Sequence, residues 1–205
     1  MIKCLSCSAF DESQFIVPEK LRCAYEQRVR LGFQYMLENP VVVVCLGVNN
    51  ISKIALSKIE RTGQYFKSYS VITGLSRSRY KPAIEWNQMR RCALDNYGYL
   101  DYAIMIDLSV GSSWSYEGLA DTFYNHDKWD ASLSSFAPDG ELLTRGGPMV
   151  HAANCEFGGL TVYKMESLRR SFYDGDKDCH YRFNERLREN GLGRILLNPN
   201  QIFTF

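Results

Sequence analysis

The spacing of apolar residues in the first half of the chain alternates between the period of a helix and that of a strand. Three segments carry apolar residues at every third or fourth position, and each ends at a glycine or before a proline. Between them lie short runs rich in β-branched residues, of which Val41–Leu46 is wholly apolar, as in a strand covered on both faces. The predicted order is helix 18–39, strand 41–46, helix 50–63, strand 69–73, helix 82–98 and strand 102–106. Strands that alternate with helices predict a parallel α/β sheet.

The second half of the chain has a less regular pattern. It predicts helices at 116–124 and 179–190 and strands at 129–136, 160–163 and 194–197. The intervening segment 138–154 is rich in glycine, proline and polar residues and predicts a long loop, a feature that is usually functional or mobile in compact domains. We expect the 205 residues to form a single domain with an N-terminal helical segment over 1–40.

Composition narrows the class of protein. Lys and Arg number 24 and Asp and Glu number 23, so the net charge is +1, which argues against general nucleic-acid binding. The longest fully apolar run is Val41–Leu46, too short to cross a bilayer, so no transmembrane segment is expected, and Lys3 and Asp11 interrupt any leader. Seven cysteines at irregular spacing argue against a disulfide framework and favour a reducing, cytoplasmic location.

The chemistry of an open α/β sheet is expected at the carboxyl ends of its strands. The segments 47–50, 74–76, 107–109 and 158–159 arrive at that edge, and none is a P-loop, a G-x-G-x-x-G turn or a G-x-S-x-G elbow. This pattern argues against kinases, dehydrogenases and serine hydrolases. Asp107 directly follows an apolar strand, where a carboxylate needs a cation, a donor or water. It is either a turn residue or a ligand-binding acid.

Several stretches, in order from about residue 41 to 200, resemble a branch of the nucleotide-sugar glycosyltransferases of GT-A type. The branch carries R-N-x-x-L, D-x-D, W-D-A/V, F-G-G-L-x-I-Y, C-E-H-x-x-F and I-Y-I-N-P motifs. The matching stretches here are 90–94 (RRCAL), 105–109 (MIDLS), 129–131 (WDA), 157–164 (FGGLTVYK), 178–183 (DCHYRF) and 195–199 (ILLNP). The resemblance implies a GT-A-like, Rossmann-type mixed sheet flanked by helices, with a nucleotide-binding half over 41–110 and an acceptor half over 111–205.

The resemblance also implies an activity and its cofactors. Such enzymes transfer a sugar from a nucleoside-diphosphate sugar, the donor, to a hydroxyl of a glycan or glycoprotein acceptor. The first D-x-D acid, matched by Asp107, helps hold the donor and the metal, and the second, matched by Ser109, usually ligates Mn²⁺ or Mg²⁺. His180 matches a histidine that reaches the metal in some members, so the implied metal ligands are Asp107 and His180.

Other site residues follow from these matches and from the predicted strand ends. The positions expected to bind the donor are Gly47, Val48, Asn49, Gly74, Arg90, Asp107, Ser109, Gly158 and Gly159. The catalytic candidates are Asp107, Glu156 and Cys179, which takes the place of the glutamate in C-E-H. The base that accepts the acceptor's proton could be Glu156 or Asp139, and the sequence does not choose between them.

The departures from the family pattern leave three alternatives open. Ser109 replaces an acid, and the first alternative is a metal site rebuilt from Asp107, His180 and a nearby acid such as Glu156. Basic residues could instead take the place of the metal at the diphosphate, the candidates being Arg77, Arg79, Lys81 and Arg90. The third alternative is a non-catalytic protein that binds a sugar nucleotide or a glycan. The tryptophans are expected in the core, and Trp114, just past Asp107, is the one to consider for sugar contact.

Overall fold

The computed structural model describes residues 17–47, 53–74, 82–109, 113–136, 145–152, 159–175 and 179–204. Within these ranges the chain forms a mixed α/β domain. Its helices are α1 Glu19–Glu38, α2 Lys53–Gly63, α3 Pro82–Tyr97, α4 Tyr116–Tyr124, α5 Met165–Arg170 and α6 Cys179–Glu189. Its strands are β1 Val41–Leu46, β2 Tyr69–Gly74, β3 Tyr102–Asp107, β4 Ser113–Trp114, β5 Ala131–Phe136, β6 Val150–His151, β7 Leu160–Lys164 and β8 Ile195–Thr204.

All eight strands belong to one sheet with the order β2-β1-β3-β7-β5-β8-β4, and β6 pairs with β8. The first three strands are parallel, as the sequence predicts. β7 runs antiparallel to both β3 and β5, and β8 is parallel to β5. The sheet is therefore mixed, and it joins the two halves of the chain into a single domain.

Helices cover both faces of the sheet, because successive residues of its central strands point to opposite sides and are apolar on both. Val42 and Val44 pack in a core with apolar residues of α3, α5 and α6. Val41 and Val43 pack in a second core with residues of α1, α2 and α4. All six residues of β1 are buried, which confirms the prediction of a strand covered on both faces.

The prediction for the last strand is wrong, because β8 does not end before Asn198-Pro199 but continues to Thr204. The pairing with β5 shifts at this point: Ser134 is opposite Asn198, whereas Ser135 is opposite Ile202. The extra residues form a bulge, where a proline costs no ladder hydrogen bond. The side chain of Asn198 supports the bulge by donating to the hydroxyl of Thr122 at 2.8 Å.

A buried polar network ties this bulge to the helices behind it. Asp121 of α4, whose side chain is 1% exposed, accepts from Arg28 of α1 at 2.7 Å and from Asn200 at 2.8 Å. Asn200 in turn accepts from the backbone N–H of Gly146 at 2.6 Å. The network fixes the start of the segment 145–152 against α1 and β8. No helix of the described part of the chain is long and apolar enough to span a bilayer.

Candidate functional site

The carboxyl ends of the three parallel strands lie side by side. Leu46, the last residue of β1, is opposite Gly74 of β2 on one side and Asp107 of β3 on the other. The chain leaves β1 toward β2 and later returns to the other flank of β1 as β3, so the strand order reverses between β1 and β3. Ligands of open α/β sheets bind in the crevice at such a switch point. We call Gly47, Gly74 and 107–109 the carboxyl edge.

Asp107 and Ser109 form a local hydrogen-bonded unit at this edge. Ser109 donates to Asp107 Oδ1 twice, from its hydroxyl at 2.5 Å and from its backbone N–H at 2.9 Å. No described residue donates a hydrogen bond to Oδ2. Ser109 therefore fixes the orientation of the Asp107 carboxylate through Oδ1.

The electrostatic surroundings of Asp107 disfavour its charged form. Partial burial raises the pKa of the Asp107 carboxyl, and the two hydrogen bonds from Ser109 oppose this by stabilising the carboxylate. The like charge of Glu85, in the first turn of α3, raises the pKa of Asp107 further. The sequence analysis did not select Glu85, although its place one turn into the helix after β2 puts it at this edge. A cation near Asp107 would offset both unfavourable effects.

Two glycines allow the backbone to close around this unit. Gly47 has a φ of 88°, and a Cβ built on it would lie 2.8 Å from the backbone nitrogen of Ser109. Gly159 has a φ of 83°, and its carbonyl accepts the backbone N–H of Asp107 at 2.9 Å. A Cβ on Gly159 would overlap the ring of Phe203. The structure therefore brings together Gly47, Asp107, Ser109 and Gly159, all predicted from the sequence.

His180 and Cys179 lie at the start of α6, under α3. The ring of His180 contacts Trp86 and Tyr173 edge to face, with centroid distances of 5.0 Å to each. Burial of its ring lowers the pKa of His180 to about 3, so the imidazole is neutral at physiological pH, the form that can ligate a metal. Cys179 is 2% exposed within the core that includes Tyr173, and this burial does not favour its predicted catalytic role.

The other residues predicted for the site make no contact with Asp107 among the described residues. Arg90 donates from Nε to the carbonyl of Leu168 at 2.6 Å, which holds its side chain against α5. Gly74 lies at the carboxyl edge, but a Cβ there would lie 2.5 Å from the sulfur of Met89. The absence of a side chain at Gly74 therefore lets α3 pack closely against β2. Val48, Asn49, Glu156 and Gly158 lie outside the described residues, as do Arg77, Arg79, Lys81 and Asp139.

The expectation that Trp114 could contact a sugar is wrong. Trp114 is 3% exposed, stacks on Phe203 with the rings 6° from parallel, and donates from its indole nitrogen to Thr62 at 3.0 Å. Trp86 and Trp129 are buried as predicted, at 1% and 0% exposure. No tryptophan of this chain therefore offers a free face to a ligand.

The described residues contain no group of three or more His, Cys, Asp or Glu side chains that could hold a metal ion by themselves. Among the described residues, Asp107 supplies a carboxylate at the carboxyl edge, and Glu85 is near enough to raise its pKa. A metal that binds mainly through substrate phosphates needs only one or two protein carboxylates. The carboxylate of Asp107 is a ligand of the kind that such a metal accepts.

Comparison of the chain with protein-family models and with curated proteins finds no match. The geometry of the carboxyl edge and the motifs of the sequence are accordingly the grounds on which a function is assigned.

Proposed function

We propose that this chain is a glycosyltransferase of the GT-A type, which transfers a sugar from a nucleoside-diphosphate sugar to a hydroxyl of a glycan. The observation that carries the proposal is the position of Asp107 and Ser109 at the switch point of the parallel half, against Gly47 and Gly159. Three of these positions, Asp107, Ser109 and Gly159, belong to the motifs that resemble this family, and Gly47 directly follows the first predicted strand.

The order of strands supports the proposal at the level of architecture. A parallel unit β2-β1-β3 is followed in the sheet by the antiparallel strand β7, which begins where β3 ends. Asp107 therefore ends β3 between β1 and β7, the strand that follows Gly159, and this position supports a role in binding the donor. In this arrangement the donor lies across the ends of β1 and β3, with its diphosphate near Asp107.

The residues of the carboxyl edge have separate roles in the proposed reaction. Asp107 binds the donor through Oδ2, while Ser109 holds its Oδ1 and so fixes the orientation of the carboxylate. Gly47 and Gly159 let the backbone approach the ligand closely. A bound Mn²⁺ or Mg²⁺ would neutralise the charge that develops on the departing nucleoside diphosphate. Glu156 and Asp139 remain the two candidate bases for the acceptor's proton.

A non-catalytic nucleotide-sugar or glycan-binding protein is the second candidate. The observation that favours it is that Ser109, a neutral residue, fills the position of the second acid and bonds to Asp107 instead of offering a charged ligand. Cys23, Cys45 and Cys92 are free thiols. Free thiols are compatible with a reducing compartment such as the cytoplasm for either candidate.

Titration calorimetry with UDP- and GDP-sugars, with and without Mn²⁺, combined with an assay of donor hydrolysis, separates these candidates. The enzyme predicts metal-dependent donor binding together with slow release of the nucleoside diphosphate. The binding protein predicts donor affinity with no turnover. Failure of every nucleoside-diphosphate sugar to bind would reject the enzyme and the nucleotide-sugar-binding protein, and would leave only the glycan-binding form of the second candidate.

A further inference from the structure

Two cations of α2 converge on one aromatic ring at the start of α4. Lys58 Nζ lies 5.1 Å from the ring centroid of Tyr116, and the guanidinium carbon of Arg61 lies 5.4 Å from the same centroid. Lys58 Nζ also lies 5.7 Å from the ring of Trp114 and donates to the hydroxyl of Ser113 at 2.7 Å. We call Lys58, Arg61, Ser113 and Tyr116 the Tyr116 cluster.

The cations of the Tyr116 cluster form no salt bridge with described residues, although Glu117 lies close enough to favour the charged form of Lys58. None of the salt bridges within the described part of the chain includes Lys58 or Arg61. Half-burial lowers the pKa of Lys58, and the like charge of Arg61 lowers it further, while Glu117 acts in the opposite direction. Lys58 is thus half-buried beside the exposed Arg61, and an anion bound by both side chains would offset the desolvation of Lys58.

The Tyr116 cluster is close to the carboxyl edge. Ser113 follows Ser109 by four residues, so their backbones are at most about 14 Å apart. A packed aromatic layer also joins the two places, because Trp114 stacks on Phe203 and the ring of Phe203 packs against Gly159. Because the two backbones can be no farther apart than this, one oligosaccharide bound at the carboxyl edge can extend to the cluster.

We propose that the Tyr116 cluster binds the anionic group of an acidic acceptor glycan, a carboxylate or a sulfate carried on a sugar ring. The inference rests on the proposed glycosyltransferase function and specifies its acceptor. The guanidinium of Arg61 presents a planar fork of donors that matches either anion, and the ammonium of Lys58 adds a compact charge beside it. Tyr116 holds both cations in place through its ring.

The test is titration of the full-length protein, in the absence of donor, with three oligosaccharides of equal length. They are an oligogalacturonate, a sulfated oligosaccharide and a neutral oligosaccharide. We expect the acidic ligands to bind at least about tenfold more tightly than the neutral one, with an affinity that falls as salt is added. Comparison of the affinities for the oligogalacturonate and for the sulfated oligosaccharide identifies which anion is preferred.

Three variants locate the binding. Lys58→Met keeps the aliphatic stem against the rings and removes the charge, and Arg61→Gln changes an exposed side chain with little risk to folding. Each is expected to lower the affinity for the acidic oligosaccharide at least about tenfold. Arg91→Gln, at an exposed position of α3 on the other face of the sheet, is the matched control and is expected to change nothing.

The proposal is overturned if the neutral oligosaccharide binds as tightly as the acidic ones, if none of the three binds, or if Lys58→Met and Arg61→Gln bind like the wild type. It is also overturned if these variants lose affinity for a nucleoside-diphosphate sugar instead, because the cluster would then belong to the donor's diphosphate. Failure of the donor site itself is distinguishable, since it appears in titrations of the nucleoside-diphosphate sugar with Asp107 variants.

Discussion

The hydroxyl of Ser109 donates to Asp107 Oδ1 at 2.5 Å, and the backbone N–H of the same serine donates to the same oxygen at 2.9 Å. Both bonds stabilise the charged carboxylate, which burial and Glu85 disfavour. A serine two residues after an acid is thus a positioning residue for that acid. This relationship gives the position a function that does not require a second metal-binding carboxylate.

Ser109→Ala is expected to raise the pKa of Asp107, because one of the two bonds that favour its charged form is lost. The pH above which the donor binds should therefore move upward. Calorimetric titration of a nucleoside-diphosphate sugar with Mn²⁺ over a pH series measures this midpoint. Ser109→Thr keeps the hydroxyl and should restore the wild-type profile, whereas identical profiles for Ser109→Ala and wild type would refute the role of the serine.

Asp107→Asn is expected to unfold at a temperature equal to or above that of the wild type at pH 7. The pKa of Asp107 is raised in the folded state, so the folded protein retains its proton to higher pH than the unfolded chain does. The contribution of Asp107 to stability is therefore fully present below its unfolded pKa of about 3.8 and is lost as the pH rises through its folded pKa. Asparagine keeps the acceptor oxygen for Ser109 and removes the charge.

Thermal unfolding of Asp107→Asn and wild type at pH 7 and at pH 3 checks this sign. The difference between the two proteins should shrink at pH 3, where the wild-type carboxyl is protonated in both states. A variant that is less stable than the wild type at pH 7 and equal to it at pH 3 would mean that the charge of Asp107 stabilises the fold.

Gly47→Ala is expected to destabilise the protein more than Gly191→Ala. Both glycines have positive φ, 88° and 80°, so both substitutions incur a left-handed backbone cost of about 1–2 kcal/mol. A Cβ on Gly191 meets no atom within 4 Å, whereas one on Gly47 would lie 2.8 Å from the backbone nitrogen of Ser109. Gly47→Ala therefore also displaces the unit formed by Asp107 and Ser109.

Urea unfolding of both alanine variants gives the two free energies directly. We expect the Gly47→Ala cost to exceed the Gly191→Ala cost by about 1 kcal/mol or more, with a loss of donor affinity only in Gly47→Ala. Equal costs in the two variants would show that the approach of Ser109 to Gly47 does not constrain the site.

Asp121→Ala is expected to lower the free energy of unfolding by about 3–5 kcal/mol, because it leaves the partly buried Arg28 and the buried Asn200 without their carboxylate. Glu19→Ala breaks an exposed ion pair with Arg22 and should cost at most about 1 kcal/mol. Urea denaturation of the two variants measures the contrast. Comparable small losses would mean that the network adds little to the stability of the domain.

The regular part of the fold could be predicted from the sequence because its signals are local. The wholly apolar run Val41–Leu46 and the turn residues around Tyr116–Tyr124 specify a buried strand and a helix without reference to distant contacts. The continuation of β8 beyond Pro199 could not be read locally, since it depends on a bulge opposite Ser134 and on the side chain of Asn198. The GT-A assignment itself stays a prediction.

The site could be predicted in part, for a related reason. Asp107 is recognisable because a carboxylate at the end of an apolar strand is costly without a partner. The position of Glu85 in the first turn of the helix after β2 was a signal that the sequence offered. The convergence of Lys58 and Arg61 on Tyr116 has no sequence signal, because it depends on how α2 and α4 pack. The burial of Trp114 likewise follows from its stacking on Phe203, a residue 89 positions away in the chain.

The central claim is that the carboxylate at the end of β3 binds a nucleoside-diphosphate sugar, and titration calorimetry of Asp107→Ala with UDP- and GDP-sugars in the presence of Mn²⁺ tests it most directly. Asp95→Ala, at an exposed position of α3, is the matched control. The account predicts a loss of donor affinity of at least about tenfold in Asp107→Ala, none in Asp95→Ala, and a cooperative unfolding transition in both. A folded Asp107→Ala variant that binds the donor with unchanged, Mn²⁺-dependent affinity would contradict it.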